Sequence, residues 1–118
     1  MIWRLKEVLR TISEDPSIEG VIIYRVDGVP IASNLKENRK ILEHLYVLEN
    51  QIKTLLSYIF NQNLDDTSIK IKELKVKLYP ITKTLVLVAL SNPSADFRVE
   101  LEIKRIINEL REILLNEF

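Results

Sequence analysis

The fold is decided by a β-hairpin pattern in residues 18–34, which read Ile18-Glu19-Gly20-Val21-Ile22-Ile23-Tyr24-Arg25-Val26-Asp27-Gly28-Val29-Pro30-Ile31-Ala32-Ser33-Asn34. Asp-Gly between two apolar runs is a strong hairpin signal, because both residue types tolerate the positive φ of a two-residue primed turn. Such a turn places Val26 opposite Val29. The run Val21–Tyr24 is apolar at consecutive positions, which is typical of a central strand covered on both faces. Pro30 cannot donate a ladder hydrogen bond, so the second strand is expected at a sheet edge.

Composition narrows the class of protein. With 118 residues, 47% of them hydrophobic, residues 1–118 are expected to form a single domain around one sizeable core. The 17 basic and 17 acidic side chains cancel, which argues against binding of nucleic acid or of an anionic membrane surface. Because the chain has no cysteine, disulfides, thiolate catalysis and thiolate metal sites are excluded. The charged start Met1–Glu7 is typical of neither a signal peptide nor a membrane span, so a soluble, cytoplasmic protein is expected.

Three segments have helical periodicity. The first contains Ile2 to Ile12 and ends before Pro16, and the last runs from about Ala95 to Asn116, with Ser94 as its cap. The longest extends from Asn38 to about Asn61, and its apolar seam is Ile41, Leu45, Leu48, Ile52, Leu55 and Ile59. Further apolar residues lie beside the seam, so this helix either packs on its own sheet and on a second helix, or presents one wide stripe to the core.

The second half of the chain contains three strand patterns. Ile69–Lys72 and Lys75–Leu78 alternate with period two, and a turn at Glu73-Leu74 would place Ile71 opposite Val76, Ile69 opposite Leu78 and Lys70 opposite Lys77. The lysines at 70, 72, 75 and 77 then share one face, which is either solvated or met by an acidic group. Thr84–Leu90 is continuously apolar, as expected of a second central strand.

The order of these elements is helix, two strands, long helix, three strands, helix, and it resembles the Roadblock (dynein light-chain) family. The resemblance covers nearly the whole chain and rests on Ile18–Ile23, Asp27–Ser33, Ile69–Lys72, Pro80, Leu85–Leu90 and Asn92-Pro93. It implies an α/β fold of the α+β sandwich kind, with a five-stranded antiparallel sheet in the order second, first, fifth, fourth, third. The long helix would lie on one face and the N- and C-terminal helices on the other, an architecture that profilin-like domains share. It also implies a prokaryotic, archaeal member.

The resemblance further implies a homodimer in which the third strands pair edge to edge and the long helices pack side by side. Transferred by position, the dimer interface would contain Ile41, Leu45, Leu48, Ile52, Leu55, Ser68, Ile69, Lys70, Ile71 and Lys72. Two features depart from the dynein light chains: the connection between the third and fourth strands is shorter, and the final helix is longer.

The functions implied by the resemblance are mostly non-enzymatic. Family members are dimeric platforms that bind or regulate small Ras-like GTPases, or that link cargo to motors, so we expect a scaffold with a GTPase partner and no cofactor. The alternative is a small-ligand sensor or adaptor of the profilin or PAS type, although few polar groups are available to orient a buried ligand. Nucleic-acid binding through the four lysines is disfavoured by the zero net charge and by the lack of aromatic residues between them.

No residue pattern predicts catalysis or a metal site. His44 is the single histidine and cannot form a multi-histidine site. Asp65-Asp66 is more typical of a turn than of a metal ligand pair. Arg25 and Arg39 could reach a partner, but each is better interpreted as an ordinary surface arginine than as a catalytic finger.

Overall fold

The structure, a computed structural model, describes residues 2–36, 49–59, 67–71, 74–92 and 97–117. The elements in chain order are α1 (Ile2–Ser13), β1 (Ile18–Arg25), β2 (Pro30–Leu35), α2 (described over residues 49–59), β3 (Thr67–Ile71), β4 (Leu74–Pro80), β5 (Leu85–Ser91) and α3 (Phe97–Glu117). This order is the one predicted from the sequence. The predicted ends of the long helix, near Asn38 and Asn61, and the predicted cap Ser94 lie outside the described residues.

The strands form one antiparallel sheet with the order β2-β1-β5-β4-β3, as predicted. Strand β5 is central, and Ile22 of β1 pairs with Ser33 on one side and Val88 on the other. Strand β2, which begins at Pro30, lies at one edge, where a missing backbone donor costs no ladder hydrogen bond.

Helices cover both faces of the sheet, which explains why its central strands are apolar at consecutive positions. In β5, Leu87 and Ala89 belong to the core with α1 and α3, whereas Val86, Val88 and Leu90 belong to the core with α2. Alternating side chains of a strand point to opposite faces, so a strand buried on both faces loses the usual apolar–polar alternation. No helix in the described part of the chain is both long and apolar enough to cross a membrane.

The β1–β2 connection differs from the predicted two-residue turn. The Gly28 N–H donates to the Arg25 carbonyl oxygen at 2.9 Å, and the Arg25 N–H donates to the Val29 carbonyl oxygen at 2.8 Å. Val26 and Asp27 are therefore the central residues of a four-residue turn, and Val29 lies opposite Arg25 rather than Val26. Gly28 follows with φ of +95°, which is the left-handed conformation of a three-residue hairpin loop with a bulge. The prediction of a hairpin is confirmed, but its predicted register is wrong by one residue.

The predicted β3–β4 register is also wrong. Ile71 pairs with Leu74, Ile69 with Val76 and Lys70 with Lys75, so the two connecting residues are 72 and 73 rather than Glu73 and Leu74. The shift of two residues keeps each residue on its predicted face, because side chains alternate with period two. The apolar positions of the two strands therefore still share a face, and so do Lys70, Lys75 and Lys77.

Candidate interaction surfaces

Strand β3 forms the second edge of the sheet. Its five residues pair with β4 without a bulge, and among the described residues no other strand pairs with it. The connection to β4 has two residues, so Ile71 and Leu74 are expected to exchange both backbone hydrogen bonds, as the pair that flanks a two-residue loop does. Alternation along the ladder then directs the backbone groups of Ser68 and Lys70 away from β4. Both residues are exposed, so this edge presents unpaired donors and acceptors to solvent.

The residues of the predicted interface seam that the structure describes differ in burial. Ile52 is 1% exposed and belongs to the core between α2 and the sheet, so no part of it is left to contact a partner. Its assignment to the dimer interface is therefore corrected. Leu55 is half-buried beside the same core, and Tyr58 is an exposed aromatic residue in the described part of this helix. Ile41, Leu45, Leu48 and Lys72 lie outside the described residues, and for Ile69 and Ile71 the backbone alone is described.

The lysine face of β4 is met by an acidic residue of α3. The Nζ of Lys77 lies 2.9 Å from the Glu100 carboxylate, and both side chains are less than one-third exposed. The hydrogen bond from Lys77 lowers the pKa of Glu100, and the positive charge of Lys104, whose Nζ is 4.0 Å away, acts in the same direction. The sequence predicted that this lysine face is either solvated or met by an acidic group. For Lys77, the second of these is observed.

A second contact fixes the direction of α3 along β4. The Arg111 guanidinium donates from Nε to the carbonyl oxygen of Ile81 at 3.0 Å and from its second terminal nitrogen to that of Pro80 at 2.9 Å. Glu100 holds the start of α3 beside β4, and Arg111 holds the other half of the helix at the end of that strand. The sequence patterns predicted neither of these contacts, since both join residues more than 20 positions apart.

The first turns of α3 carry exposed apolar side chains. Phe97 is 71% exposed and Leu101 is 51% exposed, and their spacing of four residues places them on one side of the helix. Next to them, a cavity of about 170 Å³ opens between α3 and the sheet. Its lining is Ile18, Lys75, Lys77, Tyr79, Ala89, Ser91, Phe97, Val99, Glu100 and Ile103.

A larger groove lies beside Leu5 of α1 and Leu114 of α3, at the end of α3 away from its first turns. Its volume is about 630 Å³, and it is lined by Leu5, Arg25, Ile31, Thr82, Lys83, Thr84, Leu85 and Leu114. The groove is mainly apolar with two cationic side chains, and its size is in the range of small-molecule sites.

Those remaining candidates that the structure describes bring no catalytic group together. The Arg25 guanidinium lies 2.6 Å from the Asp27 carboxylate within the hairpin, which raises the pKa of Arg25 and lowers that of Asp27. Within residues 2–36, 49–59, 67–71, 74–92 and 97–117, no group of three acids or histidines is arranged to hold a metal ion. Arg39, His44 and the pair at 65–66 lie outside those ranges.

Comparison with solved structures identifies the fold. MglC from Myxococcus xanthus superposes with a TM-score of 0.75 at 11% identity, covering 95% of this chain and 98% of that one. MglB from Myxococcus xanthus gives 0.72 at 14% identity, with 96% of each chain covered. A Roadblock/LC7 domain from Streptomyces avermitilis gives 0.68 at 11% identity, with 98% of each chain covered.

At these identities the likeness establishes the fold, so the Roadblock resemblance inferred from the sequence is confirmed as a Roadblock/LC7 fold. The sequence has no match among curated proteins. One protein family, described as AF0774-like protein, matches residues 2–104. These residues include every described strand, α1 and the first turns of α3, and the chain therefore belongs to the AF0774-like protein family.

Proposed function

We propose that this protein is a non-enzymatic, homodimeric scaffold that binds and regulates a small Ras-like GTPase. The observation that carries the proposal is the regular, exposed edge of β3 in a Roadblock/LC7 fold. An edge of this kind is a template for pairing with another strand. One structure with this fold, of MglB, has a tetrameric arrangement, which supports assembly as a property of the fold.

The proposed dimer joins two β3 strands antiparallel into a ten-stranded sheet. A register centred on Ile69 pairs all five residues of each strand and sets Ser68 of one copy opposite Lys70 of the other. This register uses the outward backbone groups of Ser68 and Lys70 and keeps the two Lys70 side chains from facing each other directly. The seam residues Ile41, Leu45, Leu48 and Leu55, together with Ile71 and Lys72, complete the proposed interface.

The regulatory action would come from binding rather than from a catalytic group of this chain. In the described residues, Arg25 is tied to Asp27 in the hairpin, so it is not poised as an inserted finger. Any stimulation of GTP hydrolysis would act by ordering the switch segments of the GTPase itself. The Arg25→Ala variant is expected to retain the full effect on the rate of GTP hydrolysis.

The partner is tested by affinity capture from the native lysate, loaded with either GTP or GDP, on immobilised protein. We expect a small GTPase to be recovered preferentially in one nucleotide state. The Ser68→Pro variant should lose the GTPase, because proline removes an outward backbone donor of β3, whereas Ser68→Ala should retain it. Recovery of no GTPase in either nucleotide state would refute the proposed partner.

A second candidate function is the binding of a small apolar ligand, which the groove lined by Leu5, Ile31, Leu85 and Leu114 favours. Titration with 1-anilinonaphthalene-8-sulfonate, followed by the backbone amide signals, tests this candidate. Saturable shifts confined to the groove would support it. Shifts that are weak, unsaturated and scattered over the surface would rule it out.

A further inference from the structure

The small cavity beside the first turns of α3 owes its space to two small side chains of β5. Ala89 and Ser91 both line it, and alternate residues of a strand point to the same face. Leu87 precedes them on that face and belongs to the core with α1 and α3. On either side of Ser91, the paired residues are Ile18 of β1 and Lys75 of β4, which also line the cavity. The sheet therefore forms the floor of the cavity, and the smallest side chains lie at its centre.

Ser91 brings a buried hydroxyl group to this floor. The residue is 5% exposed, and its Oγ donates to the Lys75 carbonyl oxygen at 3.5 Å. That distance is long for an O–H···O hydrogen bond, which is usually about 2.7–2.8 Å. Within the described ranges of the chain, no donor is directed to the Ser91 Oγ. A buried oxygen with free acceptor positions beside a cavity is typical of a place where a bound molecule completes the hydrogen bonding.

The size and the apolar lining of the cavity match one aromatic ring. Its volume of about 170 Å³ is close to that of an engineered cavity of about 150 Å³ that binds benzene. Val99 and Ile103 of α3 are buried and line the wall opposite the sheet. Phe97, which is 71% exposed, borders the cavity and offers a second ring for edge-to-face contact.

We propose that this cavity, which we call the Ser91 cavity (Ile18, Ala89, Ser91, Phe97, Val99 and Ile103), binds a small neutral aromatic molecule with one hydroxyl group, a phenol. The ring lies between the apolar side chains, and the phenol O–H donates to the Ser91 Oγ, which continues to donate to Lys75. A charged ligand would lose its hydration on entering. Lys77 and Glu100, which also line the cavity, are paired with each other at 2.9 Å.

The Ser91 cavity is separate from the sites of the functions proposed above. It lies within one copy of the chain and uses neither the β3 edge nor the groove beside Leu5 and Leu114. That groove is several times larger, so a single ring would leave most of it unfilled. The test of the Ser91 cavity is therefore independent of the dimer, of the GTPase and of the larger groove.

The test is an NMR titration of the full chain with phenol and with fluorobenzene, followed by backbone amide shifts. The two probes share a ring and differ in one substituent, and the fluorine of fluorobenzene cannot donate to the Ser91 Oγ. We expect saturable shifts at the Ser91 cavity with a Kd of about 1 mM for phenol. Fluorobenzene should bind at least about fivefold more weakly, because it leaves the Ser91 Oγ without a donor.

Two variants and a matched control locate the site. Ser91→Ala should weaken phenol binding by about fivefold and leave fluorobenzene binding within about twofold, so the preference for the hydroxyl group is lost. Thr84→Val, which removes a hydroxyl group that lines the larger groove, should leave both affinities within about twofold. Ala89→Leu fills the cavity from its floor and should abolish the binding of both probes. If Ala89→Leu fails to fold, the comparison of the wild type with Ser91→Ala still decides the proposal.

Several results would overturn the proposal. No amide shift at about 10 mM phenol, or shifts confined to the larger groove, would show that the Ser91 cavity is not a site for this class of ligand. Equal affinity of the wild type for phenol and fluorobenzene, or a Ser91→Ala variant that keeps the preference for phenol, would refute the hydrogen bond to Ser91. Tighter binding of benzoate than of phenol would refute a neutral ligand.

Discussion

The two edges of the sheet are built differently. Strand β2 begins with Pro30, its pairing with β1 is interrupted between Ile23 and Tyr24, and α1 packs against it. Beyond the strand, the backbone N–H of Lys36 donates to the carbonyl oxygen of Glu19 at 3.0 Å. The side-chain Nζ of Lys36 donates to the carbonyl oxygen of Asp15, also at 3.0 Å. Strand β3 contains no proline and pairs regularly with β4.

This difference indicates which edge can accept another strand. Proline, bulges and a covering helix are the means by which natural sheets prevent unwanted edge pairing. The β2 edge has the first two of these features, and α1 packs against this strand. At β3, Lys70 is the one such feature described, since a lysine on an edge strand also opposes pairing. The contrast therefore favours β3 as the pairing edge.

The largest loss of stability is expected from a substitution in β5, the central strand that joins β1 and β4. Leu87 lies fully buried at the centre of β5, so Leu87→Ala should lower the free energy of unfolding by about 3 kcal/mol through lost burial and a residual cavity. Leu101→Ala, at an exposed position, should change it by less than about 0.5 kcal/mol. Chemical denaturation measures both values, and hydrogen exchange should show equal loss of protection in β1 and β4. Loss of protection in one of them alone would contradict a shared central strand.

A smaller loss of stability is expected from a substitution in the β1–β2 turn, on the β2 side of the sheet. Gly28 has a φ of +95°, and an added Cβ would lie 3.2 Å from the Lys53 Cγ, so Gly28→Ala should cost about 1–2 kcal/mol of folding free energy. Gly28→Asn should cost less, because asparagine tolerates the left-handed conformation better. Thermal and urea unfolding provide the comparison. Equal stability of the alanine variant and the wild type would show that the bulged turn is not required.

The smallest effect on stability is expected from the ion pair between Lys77 of β4 and Glu100 of α3. Lys77→Met and Glu100→Gln, combined in a double-mutant cycle, should give a coupling free energy of about 1 kcal/mol at neutral pH. Because Lys77 lowers the pKa of Glu100, this stabilisation is present above the unfolded-state pKa of the carboxyl and is lost as the pH falls through its lower folded-state pKa. Urea unfolding at neutral and acidic pH measures the coupling. Additive single variants at neutral pH would disprove the pair.

Local patterns in the sequence predicted the elements of the fold well. Asp27-Gly28 predicted the hairpin, Pro30 predicted the edge strand, and the apolar runs of β1 and β5 predicted central strands. The strand order came from the resemblance and is confirmed. The hairpin registers could not be predicted, because Gly28 is compatible with a primed turn and with a bulge, and alternation in β3 and β4 is preserved under a two-residue shift.

Contacts between distant elements could be predicted only in part. The sequence indicated that the lysine face of β4 would be solvated or met by an acid, but nothing in it identified Glu100 of α3 as that acid. The burial of Ile52 was missed because heptad spacing describes a stripe without specifying whether the sheet or a partner covers it.

The mass of the protein in solution tests the pairing of β3 most directly. Sedimentation equilibrium at about 10 μM should give twice the chain mass of 13.8 kDa for the wild type and for Ser68→Ala. Ser68→Pro should give 13.8 kDa with an unchanged circular dichroism spectrum, because it removes an outward donor without removing a bond to β4. A wild-type mass of 13.8 kDa, or a Ser68→Pro variant that remains dimeric, would refute dimerisation through β3.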